Sequence, residues 1–295
     1  MEPQEQKTIV LTGGTNGIGR EATHAFLSKG YTVLLVYRNQ QKARQLKSQV
    51  AIKYPKSQLH LMPPCDFSKL DEVQRCAQYI AQNYKTIDFL VNNAGTALMS
   101  KQFSEGGIEK NFVVNHLAHF VLTMHLLPNL KTANHARIIH TSSEAHYKPN
   151  SNFMKDLNFT EKKYFVLDAY GNSKLANVMF AISLSEKLRN TNIVSHSFHP
   201  GRVKSGIWPR NTWYEKIFTF VLQLFLLSPA KGIRPLLMLA FDEKYHCRES
   251  IFLFKTKERR VNKVALDAQA REKLWDLSVE MCKPYLPPVT QNTSL

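Results

Sequence analysis

The chain has 295 residues, 43% of them hydrophobic, enough for one large α/β domain or two small ones with a sizeable core. Lysine and arginine number 39 against 23 acids, a net charge of +16, which favours anionic partners: nucleic acid, an acidic membrane surface or a phosphorylated cofactor. The basic residues are spread without a long run, which argues against nucleic acid. The four cysteines (Cys65, Cys76, Cys247, Cys282) show no metal-ligand spacing and read as reduced, mostly buried thiols of a cytosolic protein.

Met1–Gln6 is polar and leads straight into a strand, so neither a signal peptide nor an N-terminal span is expected. The longest apolar run, Ile217–Leu227, has 11 residues and contains Gln223. A bilayer crossing needs about 20, so this run suits an interface better than a span.

Lys7–Thr12 is a short apolar run fit for a strand buried on both faces. It enters Thr12-Gly13-Gly14-Thr15-Asn16-Gly17-Ile18-Gly19, and a helical pattern follows with Ile18, Ala22, Ala25 and Phe26 on one face. A glycine triplet alone is more often a plain turn. Between a strand and a helix, its glycines let the backbone approach a pyrophosphate at the helix N-terminus. Gly13, Thr15, Asn16, Gly17, Ile18 and Gly19 are therefore candidates for dinucleotide binding.

Tyr31–Tyr37 is the second strand, and Tyr37-Arg38-Asn39 stands where an NAD-specific site usually carries an acid. With no carboxylate to repel it and Arg38 to hold it bidentately, a ribose 2′-phosphate is favoured, hence NADP(H) over NAD(H); the plainer alternative is that Arg38 starts the next helix. The third strand, Gln58–Pro63, ends in prolines that suit a sheet edge. Asp66 after it is placed either to reach an adenine or to cap the helix marked by Leu70, Val73, Ala77 and Ile80.

Asp88–Val91 is a fourth strand running into Asn92-Asn93-Ala94-Gly95, small and amide residues suited to a close-packed cofactor edge. Ile108–Leu130 reads as one long helix carrying Asn115, His116 and His119; no third ligand is in register, so the histidines read as packed or solvated and no metal site is expected. Ala136–Ser142 is a fifth strand delivering Ser142 and Ser143, and Ile193–His199 a sixth ending in Pro200-Gly201.

Between them Leu167–Arg189 reads as a long amphipathic helix with Tyr170 and Lys174 four apart on one face. The ammonium of Lys174 would lower the phenol's pKa from about 10, allowing Tyr170 to give or take a proton near neutrality. Trp208–Ser228 is rich in aromatic and aliphatic residues and reads as a lid for a lipophilic substrate, as core, or as a membrane contact. Ser228-Pro229 opens a helix, Ile251–Phe254 is a seventh strand, and Ala265–Cys282 a closing helix with Trp275 packed. Strand and helix alternate without repeat or linker. The expectation is one α/β domain over 1–295: a doubly wound, Rossmann-type parallel sheet of seven strands with helices on both faces and a lid region at 202–250.

Taken together, Thr12-Gly-x-x-x-Gly17-x-Gly19, Asn92-Asn-Ala-Gly95, Asn115 in Val-Asn-His-Leu-Ala-His-Phe, Ser143, Tyr170-x-x-x-Lys174 and Pro200-Gly201 resemble, in order, the short-chain dehydrogenase/reductase superfamily. Val114–Phe120, Ser142–Tyr147, His199–Gly201 and Ala268–Cys282 resemble its branch of retinol dehydrogenases, WW-domain oxidoreductase and X-linked dehydrogenase/reductase. The resemblance implies Tyr170 as general acid/base and Lys174 as its tuner and partner of the nicotinamide ribose. Ser143 would bind the substrate oxygen, and Asn115 would hold a water of a proton relay. Asn93, Ala94 and Gly95 would line the cofactor, and Pro200, Gly201, Val203 and Ser205 would stand at the nicotinamide amide. The implied reaction interconverts an alcohol and its aldehyde or ketone, on a retinoid, steroid or polyisoprenoid, with hydride moving at the cofactor. The alternatives are a non-catalytic NADP(H)-binding scaffold and a reductase of small polar carbonyls. The implied setting is cytoplasmic, with peripheral contact through 213–228 on endoplasmic reticulum or lipid droplet membrane, and it leaves room for a homodimer.

Overall fold

The computed structural model describes residues 6–56, 58–201, 228–246 and 248–288. Its strands are β1 (Thr8–Thr12), β2 (Thr32–Val36), β3 (Gln58–Leu61), β4 (Phe89–Asn92), β5 (Ala136–Thr141), β6 (Ile193–His199), β7 (Phe252–Phe254) and β8 (Lys257–Glu258). They form one sheet of order β3-β2-β1-β4-β5-β6-β7-β8, parallel except for the last pair. The crossover helices are α1 (Gly17–Ser28), α2 (Gln40–Lys53), α3 (Leu70–Asn83), α4 (Ala118–Lys131), α5 (Val166–Lys187) and α6 (Arg234–Phe241), and α7 (Ala268–Cys282) follows the last strand.

Period-two alternation splits each central strand between two cores. On β1, Val10 packs with α3, α4 and α5, while Ile9 and Leu11 pack with α1 and α2; Leu34 and Val36 of β2 take the first side, Val33 and Leu35 the second. Both faces are thus covered, as a parallel sheet requires. β3 is the outermost strand on its side, and Pro63 and Pro64 lie just beyond it, where no ladder donor is needed.

Three expectations are corrected. The sheet has eight strands: Lys257 pairs back on Phe254 through Lys255, which adopts φ 57°, and Glu258 is held by Lys244 (2.8 Å) and Arg248 (2.7 Å). No glycine or asparagine announces that turn. The helix expected over 108–130 is broken into a short turn at Lys110–Phe112, a π turn at Val113–Leu117 and α4. And α5 is not amphipathic. It is buried nearly all round, because the sheet lies on one side and α7 brings Leu274, Trp275 and Ser278 over the other. Trp275 is packed edge-on against Phe120.

Candidate active site

At the carboxyl edge of β1, β4, β5 and β6 the chain gathers most of the residues singled out above. Gly13 has φ 68°, and a Cβ there would lie 2.9 Å from the Ala94 backbone. Only a glycine lets the turn pack this tightly on the Asn93–Gly95 segment. The Asn93 amide donates to Thr12 O (3.0 Å), and the backbone N–H groups of Asn93 and Ala94 both donate to Thr12 Oγ1 (2.9 Å each). Asn16 caps α1 by accepting from Gly17 N–H (2.8 Å); Ile18 and Gly19 are buried in its first turn, and Thr15 is half-buried. Arg38 is exposed at the carboxyl end of β2, one residue before Asn39, which caps α2 by accepting from Lys42 N–H. Arg38 therefore precedes the helix rather than starting it. Asp66 closes a turn on Ser68, accepting from its N–H and its hydroxyl (2.9 Å each), and does not cap the helix: α3 starts behind Lys69 with no side-chain cap.

After β5 the chain sends its two serines apart. Ser142 donates to the Lys174 carbonyl (2.8 Å), while Ser143 Oγ accepts from Ala145 N–H (3.2 Å) and stands near enough to the Tyr170 phenol to pull its pKa down. Gly171 permits this approach, since a Cβ there would stand 3.0 Å from Ala145 O. Lys174 is 1% exposed; its Nζ donates to Thr141 O (3.1 Å) and lies 5.5 Å from the centre of the Tyr170 ring. Asn115 is fully buried in the π turn: its amide donates to Thr96 O (2.9 Å) and Ser173 Oγ (2.9 Å), and its Oδ1 accepts from Thr96 N–H (2.7 Å). A relay water at that side chain therefore has only the second Oδ1 lone pair to bind.

The electrostatics differ from those expected. Burial pushes the Tyr170 phenol up to about 12, against a smaller downward pull from the Ser143 hydrogen bond, and burial pushes Lys174 down to about 7. Desolvation is the largest cause at Tyr170 and the cause at Lys174, so dryness and not the spacing of the pair sets both shifts. His116 and His119 are 1% and 0% exposed and lowered to about 3 by burial, and no His/Cys/Asp/Glu group among the described residues could hold a metal.

Pro200 and Gly201 are buried just past β6, with Gly201 at φ 91°. Val203, Ser205 and residues 202–227 of the expected lid region lie outside the described residues, as does Cys247, while Leu236, Leu239, Ala240 and Tyr245 of that region are buried in the core on the α1 side; Cys65, Cys76 and Cys282 are buried and free. Sequence reading passed over Thr12 as a site residue, and Ser173 altogether. The only signal for Thr12 was a hydroxyl immediately ahead of the glycine turn.

A family profile described as short chain dehydrogenase matches residues 7–155. Retinol dehydrogenase 12 of Mus musculus is 31% identical over 275 residues, covering 93% of this chain and 86% of that one; retinol dehydrogenase 13 of Homo sapiens is 28% identical, covering 97% and 87%. The fold is also that of a crystal structure of an uncharacterised protein from Mycobacterium paratuberculosis, at 27% identity and TM-score 0.74 with 94% of each chain covered. A short chain dehydrogenase from Escherichia coli CFT073 complexed with NADPH superposes at TM-score 0.66 and 23% identity, covering 86% of this chain and all of that one.

Proposed function

Since the chain belongs to the short-chain dehydrogenases, in their retinol dehydrogenase branch, we propose that it interconverts a lipophilic alcohol and its carbonyl using NADP(H). A short-chain dehydrogenase takes a nicotinamide dinucleotide, and the close packing of the Gly13 turn on Ala94 fits one. In this reading the turn and the N-terminus of α1 would hold the pyrophosphate. Arg38 would hold the 2′-phosphate, and Asp66 would border the adenine. Asn93, Ala94 and Gly95 would line the dinucleotide, Lys174 would bind the nicotinamide ribose, and Pro200, Gly201, Val203 and Ser205 would border the nicotinamide. When bound, the dinucleotide supplies or accepts the hydride.

The chain's own residues do the rest. Ser143 would donate to the substrate oxygen from the hydroxyl that now accepts from Ala145 N–H. Tyr170, with its pKa near 12, stands protonated at neutral pH and is set to donate to that oxygen in carbonyl reduction. The Lys174 ammonium would replace the proton and steady the phenolate as it forms. The observation that carries the proposal is the buried Lys174, its Nζ bonded to Thr141 O at the end of β5 and 5.5 Å from the centre of the Tyr170 ring, at the edge where the glycine turn and Asn93–Gly95 also end.

A lipophilic substrate is supported by the names of the relatives and by the apolar Trp208–Ser228 segment, the proposed lid of one catalytic domain. Peripheral membrane contact is proposed for the same stretch; no helix among the described residues is long and apolar enough to cross a membrane. One experiment tests all of this: oxidation of NADPH, with NADH beside it, against all-trans-retinal, a steroid ketone, a polyprenal and a short aldehyde, with and without anionic vesicles. The expected result is turnover of one of the lipophilic carbonyls, faster with NADPH. Turnover of the short aldehyde alone removes the lipophilic reading, and preference for NADH removes the role of Arg38.

A further inference from the structure

His119 is fully buried and joins the two halves of the site. Its Nδ1 lies 3.0 Å from Asn115 O and its Nε2 3.0 Å from Thr12 Oγ1. The protons on this chain can be placed by elimination. A carbonyl only accepts, so Nδ1 carries the hydrogen. Thr12 Oγ1 already takes two backbone N–H groups, Asn93 and Ala94, on its lone pairs. Its own hydrogen remains, with Nε2 nearer (3.0 Å) than Val91 O (3.3 Å). The ring is thus a neutral imidazole accepting from Thr12 and donating to Asn115, and a second ring proton would face an oxygen with no lone pair left. Burial, which disfavours the cation, works in the same direction.

The chain continues on both sides. Towards the cofactor edge, Thr12 binds the Asn93–Ala94 backbone and precedes the glycine turn. Towards the reacting groups, Asn115 donates to Ser173 Oγ (2.9 Å), which donates to Tyr170 O (2.7 Å) on the helix that carries Lys174. The π turn widens the helix at Asn115, and the His119 side chain supplies a donor to its carbonyl. We propose that His119 is a positioning residue: a neutral donor–acceptor bridge that fixes the glycine turn relative to Tyr170, so that dinucleotide binding and proton transfer share one geometry. This rests on the NADP(H) oxidoreductase reading above.

The test uses the full chain and measures NADPH affinity by equilibrium fluorescence, with NADH as a second probe, together with kcat. His119→Phe keeps the ring and breaks both bonds. It should weaken NADPH binding about tenfold, the scale of one lost buried hydrogen bond, and lower kcat as well. His119→Gln, whose carboxamide again offers one donor and one acceptor, should bind within about threefold of the parent. Thr12→Val cuts the same link from its other end and also removes the acceptor of the Asn93 and Ala94 N–H groups, so the double variant should bind about as Thr12→Val alone. If His119→Phe does not fold, Thr12→Val and His119→Gln decide the matter. Unchanged NADPH affinity in His119→Phe, with only a lower melting temperature, would show a core-filling ring and overturn the inference while leaving the enzyme reading intact. A parent protein that binds neither dinucleotide would overturn both.

Discussion

Tyr170 and Lys174 are set four residues apart as though to form an ion pair, yet burial drives each toward its uncharged form, the phenol to about 12 and the amine to about 7. The spacing shows that the two share a face; it cannot show how dry that face is, and desolvation is what sets the shifts. The consequence is measurable. For carbonyl reduction Tyr170 is in its donating form across the usual range, so the ionisation that limits the rate is that of Lys174. A lysine with a lowered pKa keeps its proton below that value and loses it above. The account therefore predicts that kcat for reduction falls as pH rises through about 7, read from a pH–rate profile with saturating NADPH. A rate that stays flat from about pH 6 to about pH 9 contradicts the role given to Lys174. Ser143 is a different case: strand alternation already required that it and Ser142 part company, and the structure sends Ser142 to the Lys174 carbonyl and Ser143 to the phenol.

Among the elements, the parallel strands were legible because each is a short β-branched or aliphatic run bounded by turn residues, and β6 spans the residues expected of it. The misses have particular causes. β8 is two exposed residues behind a Lys255-Thr256 turn, with none of the residues that usually mark a hairpin. The break at Val113–Leu117 left no trace in the apolar pattern, since the residues around it are apolar or buried on every side. It is visible only through bonds between distant segments, Asn115 to Thr96 and Ser173, and His119 to Thr12. The α5 helix misled in the other direction. Its small polar residues, Ser173, Asn177 and Ser183, suggest a wet face, but they are buried under α7 and the sheet edge. Asn115, Tyr170 and Lys174 could be picked from motif spacing, whereas the residues that hold them, Thr12, His119 and Ser173, required the fold.

For the molecule as a whole, the histidines dominate its response to acid. His116 and His119 are lowered to about 3, His146 and His196 to about 4, and His140 well below its ordinary value, in each case chiefly by burial. These groups are neutral when native and gain a proton on unfolding, so their contribution is complete above about pH 6.5 and is lost as pH falls toward the native values. At pH 5 His116, His119, His146 and His196 each cost about 2 kcal/mol. Four such sites together approach the total stability of an ordinary domain. Thermal unfolding followed by circular dichroism should show a melting temperature that drops steeply between about pH 6 and about pH 4.5; one that holds constant over that interval would mean these imidazoles find charge partners that the described residues do not provide.

The most direct measurement is NADPH oxidation by Tyr170→Phe beside the parent protein, on whichever carbonyl the parent reduces best, with NADPH affinity determined on both. Removing one oxygen should abolish turnover, by about a thousandfold or more for a lost proton donor, while dinucleotide binding stays within about twofold, since the ring and its packing remain. Near-normal turnover in the variant would contradict the assignment of the proton to Tyr170.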